Sequence, residues 1–155
     1  MSGSAPLAGF VALAPAPRRA HRETLGAKLT AILRPDSCLF EPRLGLVSRD
    51  PFVVASHFTD PLIFAGGLTR RAVTEIAEGW RSVRERAPSF TTPLLVLQGG
   101  ADALSDPKEA GAFYDASGTR DKRMQVYAGL ANDLLHEPER KRIVCDVVAW
   151  MTAHV

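Results

Sequence analysis

Apolar residues in this 155-residue chain fall into two kinds of pattern. Three short, nearly continuous runs, Gly9–Ala14, Leu94–Leu97 and Met124–Tyr127, suit strands buried on both faces of a parallel sheet. Between them the spacing changes to steps of three and four. Leu25, Leu29, Ile32 and Leu33 predict a helix limited by Pro35, and Val73, Ile76, Trp80 and Val83 predict a stronger one over Thr69–Arg86. Asp106-Pro107-Lys108-Glu109 supplies an N-cap, a first-turn Pro and a capping-box Glu for another helix, which Gly118 is placed to terminate. Ile143, Val147 and Met151, beside Val144 and Val148, give the last helix a broad apolar face. From Arg34 to Pro61 the chain is rich in Pro, Asp and Ser; there Pro51, after Asp50, opens a short helix through Phe52, Val53 and Val54.

The strand–helix–strand–helix order of the last third implies right-handed crossovers and a parallel α/β sheet of about three strands. Residues 36–86 lie between the first two strands and exceed what one crossover helix requires. One domain with its own core fits this length. Composition excludes more than it selects: 46% hydrophobic and 23% charged residues are ordinary globular values. A net charge of +2, with scattered basic residues, points away from nucleic acid. Cys38 and Cys145 lie far apart with no CxxC spacing, which fits reduced, buried thiols in a cytoplasmic protein. The apolar N-terminal stretch has its arginines, Arg18 and Arg19, after it rather than before it, unlike an export signal. No apolar run reaches the roughly 18–20 residues of a membrane-spanning helix. No two of the four histidines have metal-site spacing with supporting ligands, and no cofactor is implied.

The segment Thr92–Trp150 carries the chemistry. An apolar strand enters Gly99-Gly100-Ala101-Asp102; a later loop reads Tyr127-Ala-Gly-Leu-Ala-Asn132 and continues through Leu-Leu-His-Glu-Pro-Glu-Arg. This resembles the C-terminal half of the monoacylglycerol lipase and lysophospholipase branch of the α/β-hydrolases, a serine aminopeptidase-type hydrolase group. The segment VSRDPFVVASHFTDPLIF at 47–64 is similar to the Ser-Arg-Asp-Pro and Asp-Pro-Leu pair of the same branch. The resemblance runs from about Phe10 to the C-terminus. It implies a carboxylic ester hydrolase fold, with 36–86 as a cap over the active site and a lipid ester, monoacylglycerol or lysophospholipid, as substrate.

Serine-hydrolase chemistry needs a hydroxyl nucleophile, an imidazole to take its proton and a carboxylate to orient that imidazole. By resemblance Asp102 is the triad acid, at the C-terminal end of a buried strand, where sites form in open α/β sheets. The triad His position, in a Tyr-x-Gly-x-x-His loop, is Asn132. An amide has no ring nitrogen that titrates near neutral pH, so it can hydrogen-bond Asp102 without activating a serine. His136 is the only nearby imidazole. One helical turn from Asn132 it would be a substitute base; otherwise it is a surface residue beside Glu137. His21, His57 and His154 read as exposed or cap-region histidines. No G-x-S-x-G elbow occurs in the chain, and the oxyanion-hole His-Gly motif is missing too. A frame that begins late and a degenerate gene would both leave this pattern.

The expectation is therefore part of a lipid-ester hydrolase that does not turn over substrate alone. A rival is a non-catalytic pseudo-hydrolase, a lipid-binding or interaction module. Its apolar cap residues Phe52, Phe58, Leu62, Ile63 and Phe64 would hold an acyl chain or lie against a membrane surface, unless they are core. With three strands and an uncharged first strand, the isolated chain is expected to self-associate.

Overall fold

The computed structural model describes residues 7–17, 38–40, 44–63 and 67–154. In chain order these form β1 (Phe10–Leu13), β2 (Cys38–Phe40), a 3-10 turn at Leu44–Leu46 and α1 (Pro51–Thr59). Then come β3 (Leu68–Thr69), α2 (Arg70–Arg86), a 3-10 turn at Ala87–Ser89, β4 (Leu94–Gly99) and α3 (Pro107–Ala116). The chain closes with β5 (Lys122–Tyr127), a 3-10 turn at Leu134–His136 and α4 (Arg140–Thr152).

The expected α/β architecture is present. β1, β4 and β5 form one parallel sheet in the order β1-β4-β5, with Phe10 opposite Leu94 and Leu94 opposite Lys122. The short pair β2–β3 is antiparallel and separate from it. All six residues of β4 are buried. Its side chains alternate between two cores, as a strand covered on both faces requires. Leu95 and Leu97 pack with Tyr127, Leu130, Leu134, Ile143 and Trp150; Leu94 and Val96 pack with Ala12, Ala87 and Phe113. Aromatic rings extend the second core outward: Phe90 lies 5.8 Å from Phe10 and 6.4 Å from Phe113, whose ring is 5.8 Å from Trp80 of α2. Burying each large apolar side chain of β4 stabilises the fold by roughly 1.5–3 kcal/mol.

Local signals set the helix starts. The side chains of Asp50, Thr69 and Asp106 cap α1, α2 and α3, accepting from the amides of Phe52, Ala72 and Lys108 at 2.9, 3.2 and 2.9 Å. Pro51 and Pro107 occupy first-turn positions, where a missing N–H costs nothing.

Four details depart from the pattern. Gly118 does not stop α3 through a left-handed turn; Ser117 is the C-cap, and it is extended. Gly118 is there for close approach, since a Cβ on it would stand 2.0 Å from the Pro88 carbonyl oxygen. The broad face of α4 is only half used: Ile143 is buried, whereas Val144, Val148 and Met151 are about half exposed. Cys145 is exposed on α4, not buried, because the helix turns it away from Ile143 and Trp150. Nor is α2 a core helix; Ile76 and Val83 remain exposed and it has no buried residue. The helix expected over Leu25–Leu33 lies outside the described residues, as do His21 and Phe64.

The C-terminus of α4 is held by His154. Its ring stacks on Trp150 at 4.0 Å, Nδ1 lies 2.6 Å from the Trp150 carbonyl oxygen, and Nε2 lies 3.2 Å from Asp121 Oδ2. The bond to the Trp150 carbonyl, and then Asp121, raise the imidazole pKa above its ordinary value of 6.5. A raised pKa means that the protonated ring binds the folded state better. Stabilisation from this contact is therefore complete below about pH 6.5 and is lost as pH rises through the higher folded-state midpoint. We expect an NMR titration to place the His154 midpoint above that of an unfolded peptide, and Asp121→Asn to lower it.

Candidate functional site

Asp102 follows β4 through a turn that only glycine permits. A Cβ on Gly99 would stand 2.0 Å from the Ala131 carbonyl oxygen and 2.5 Å from that of Leu130. The end of β4 thus touches the backbone of the loop leaving β5. Backbone bonds join the two: Gly100 N–H donates to Tyr127 at 2.8 Å, and Ala101 N–H to Leu130 at 2.9 Å. The two loops that carry Asp102 and Asn132 are one unit.

The Asp102 side chain is buried, and donors converge on both of its oxygens. Oδ1 accepts from the amides of Leu104 and Ser105, each at 2.8 Å. Oδ2 accepts from Gln98 Nε2 at 2.9 Å and from Asn132 Nδ2 at 3.0 Å. These bonds match the acceptor capacity of an ionised carboxylate, about four lone-pair sites. Asn132 Nδ2 also donates to Ser105 Oγ at 2.8 Å, and Ser105 Oγ donates to the Ala14 carbonyl at 3.0 Å. Both N–H bonds of the Asn132 amide are therefore used within this network. Ala14, just after β1, has a φ of 43°, in the left-handed region that an L-residue rarely occupies.

Residues from the 38–86 segment hold the Asn132 loop from the other side. Glu137, with a side chain at 0% exposure, is the centre of this contact. Its Oε1 accepts from the amides of Ala131 at 3.1 Å and Arg49 at 3.2 Å, and its Oε2 accepts from Arg49 Nε at 2.7 Å. Arg49 also bonds Glu139, which lowers the Glu139 pKa and raises that of the guanidinium. Asp133 N–H donates to the Val47 carbonyl at 2.7 Å, and Ser48 Oγ to that of His136 at 2.8 Å. A carboxylate buried beside backbone amides and a guanidinium is satisfied, so this staple does not leave a stranded charge.

Two cavities flank the network. A cavity of about 660 Å³ lies between Leu46, Arg49, Val54 and Ala55 on one side and Ala101 and Ala131 on the other. A smaller one, about 260 Å³, has Asn132 in its wall with Ala14, Val47 and His57. His57 sits on α1, its Nδ1 2.9 Å from the Val53 carbonyl oxygen.

The structure brings Asp102 and Asn132 together and leaves His136 apart. Asn132 and His136 do not share an α-helical turn, since only Leu134–His136 is helical and it is 3-10. The His136 side chain is 62% exposed and its Nδ1 lies 2.9 Å from Asp133 Oδ2. Sequence reading passed over Gln98, Ser105 and Glu137 as parts of this site. Gln98 had one local signal, a polar residue inside an otherwise apolar buried strand. The described residues contain no cluster of three or more metal-ligating side chains and no helix long and apolar enough to cross a membrane.

Comparison with known proteins identifies the family. The sequence profile of the hydrolase family described as serine aminopeptidase, S33, matches residues 3–139. The chain belongs to this α/β-hydrolase family, in its monoacylglycerol lipase-like group. It is 34% identical over 109 residues to a monoacylglycerol lipase of Mycolicibacterium smegmatis, an alignment covering 70% of this chain and 39% of that protein. With the monoglyceride lipase of Mus musculus it shares 29% identity over 135 residues, 86% of this chain and 45% of the relative. Less than half the length of these curated relatives is thus spanned. The crystal structure of Paleococcus ferrophilus monoacylglycerol lipase superimposes with a TM-score of 0.82 at 21% identity, covering 96% of this chain and 60% of that one. That likeness shows the fold.

Removing the carboxylate should expose how much the site stabilises the chain. Asp102→Ala leaves the Gln98 amide and the Leu104 and Ser105 N–H groups without their acceptor. We expect a loss of about 2–4 kcal/mol in urea-induced unfolding, since each stranded buried donor costs about 1–3 kcal/mol before relaxation. Asp102→Asn, which keeps acceptor capacity on one atom, should lose less.

Proposed function

We propose that this chain is the acid-and-cap portion of a lipid-ester hydrolase and does not turn over ester by itself. In this reading Asp102 is the triad acid, Asn132 occupies the position of the catalytic His, and residues 36–86 are the cap. The observation that carries it is the Asn132 Nδ2 bond to Asp102 Oδ2, at 3.0 Å. An imidazole on the same loop would place an N–H against the same oxygen, as a triad requires. The amide makes that bond but cannot accept a serine proton. The nucleophile elbow is absent from the sequence, and His136 bonds Asp133 at the surface. As substrate class, monoacylglycerol follows the names of the relatives, and lysophospholipid follows the sequence resemblance. The class is supported by the cavity of about 660 Å³ with its small and apolar wall residues Leu46, Val54, Ala55 and Ala103. Cleavage in the completed domain would proceed through an acyl-serine.

The apolar residues of the cap suit a protein working at a membrane surface. Phe52 and Leu62 are 85% and 92% exposed, and Phe58 is also outward. This exposure supports a bilayer surface or an acyl chain as their partner.

The test is hydrolysis. We expect no turnover of short-chain or monoacylglycerol esters by the purified chain, and no covalent labelling by a fluorophosphonate, which reports an activated serine. Hydrolysis by the purified chain that is lost on Asp102→Ala would overturn the expected inactivity while keeping Asp102 as the acid. Asn132→His alone should not create activity, because triad members act as a unit. The non-catalytic module keeps one point in its favour: both N–H bonds of the Asn132 amide are used where it stands. An in-frame G-x-S-x-G in the DNA upstream of the Met1 codon would decide for the hydrolase; an in-frame stop would decide for the module.

Self-association is the second expected outcome. Among the described residues no strand pairs with the outer edge of β1, which carries Phe10 at 42% and Leu13 at 37% exposure and no charge. Such an edge is a template for another strand. Light scattering during size-exclusion chromatography should give a mass above that of the monomer at tens of micromolar; a stable monomer would speak against the exposed edge.

A further inference from the structure

The Asp102 carboxylate is fixed unequally at its two oxygens. Oδ1 is held by two backbone amides of its own turn, Leu104 and Ser105, at 2.8 Å each. The direction of Oδ2 depends on side chains alone, Gln98 and Asn132. Residue 132 is the one that must work in a triad, so it cannot also be the fixed support. Gln98 can. It lies on the central strand at 0% exposure, and a second bond from Nε2 to the Gly99 carbonyl, 3.2 Å, fixes the amide.

The orientation of that amide is set by charge. Turning it over would place a carbonyl oxygen against a carboxylate oxygen, two acceptors with no proton between them. With Nε2 on Asp102, the Gln98 Oε1 atom has no protein donor among the described residues. A buried acceptor in that condition costs about 1–3 kcal/mol. Leu or Met at this site would fill the same space on β4 with no polar atom to satisfy. An apolar strand therefore carries an amide here at a cost, and the carboxylate beside it is the compensating contact.

We infer that Gln98 is a positioning and tuning residue for the triad acid: it aims Oδ2 at position 132 and takes part of the charge that Oδ2 presents there. The inference rests on position 132 being the base position. Its chemical consequence is a limit on basicity. An imidazole N–H at position 132 would share Oδ2 with the Gln98 N–H. Each donor reduces the negative charge the other meets, so Gln98 lowers the imidazole pKa relative to an unshared carboxylate. Depleting that support would make a stronger but less well-aimed base.

The experiment uses the full chain carrying Asn132→His, with the new ring titrated by NMR in three backgrounds. Adding Asp102→Asn removes the negative partner and should lower the midpoint by about one unit or more. Adding Gln98→Met frees Oδ2 and should raise it by about half a unit. A second reading needs no change at Gln98. The Gln98 side-chain N–H₂ signals in the Asn132→His protein should move with pH at the same midpoint as the ring, and should stop doing so after Asp102→Asn. If Gln98→Met does not fold, this reading decides.

The outcomes separate the two ideas. A midpoint indifferent to Asp102→Asn would mean that position 132 is not the base position, and the proposed function would fall with the inference. A midpoint that responds to Asp102→Asn while the Gln98 amide stays silent, and is unmoved or lowered in any folded Gln98→Met protein, would overturn the role of Gln98 alone. A raised midpoint, or a coupled amide signal where the Met variant does not fold, would establish it.

Discussion

Complete burial of β4 governs the arrangement of this chain. Six consecutive residues without solvent contact demand cover on both faces, and that requirement brings α4 to one side and the α3 and Ala87–Ser89 region to the other. It also determines where the chemistry sits. A strand buried to its last residue can leave the sheet only through a turn of minimal bulk, and Gly99-Gly100 is that turn. Asp102 emerges three residues beyond Gly99, still buried, where the backbone amides of the turn itself are within reach of its carboxylate.

The loop from Leu130 to Glu137 meets this turn under constraint from two directions. Gly99 lets the loop backbone rest on the strand end, so the separation of Asp102 and Asn132 is fixed by van der Waals contact rather than by side-chain reach. Glu137 then ties the loop to Arg49, a residue 88 positions earlier, through its buried carboxylate. A charge at 0% exposure is tolerated there because two amides and a guanidinium satisfy it. The Val47–Arg49 segment and the candidate site are thus mechanically joined. Displacing one would disturb the hydrogen bonds of the other, including the Asp133 amide bond to Val47 next to Asn132 itself.

Asn132 shows how an amide can hold a buried carboxylate in place. The amide satisfies the Asp102 oxygen that an imidazole would meet, and its second N–H is absorbed by Ser105. What differs is proton affinity. The amide holds a carboxylate in place but has no nitrogen that titrates near neutral pH, so it cannot act as a base there.

Much of this was legible along the chain. The three sheet strands, the helix starts at Asp50, Thr69 and Asp106, and the strand–turn placing of Asp102 follow from periodicity, capping and glycine content, all local properties. The missing elbow and the Asn at position 132 were equally plain, because they are matters of residue identity. Tertiary structure alone decided which side chains surround the acid. Gln98 lies four residues before Asp102 and meets it only because the chain reverses at Gly99; Arg49 meets Glu137 only because the segment leading into α1 folds back onto the β5 loop. His136 looked equivalent to a one-turn neighbour of Asn132 until the 3-10 geometry of Leu134–His136 turned it toward Asp133 and solvent. Gly118 looked like a helix stop and proved to be a contact with Pro88. Local spacing constrains backbone conformation, which short-range sterics control. Hydrogen bonds to a buried carboxylate depend on which distant segments share the same few ångströms, and that is settled only when the core closes.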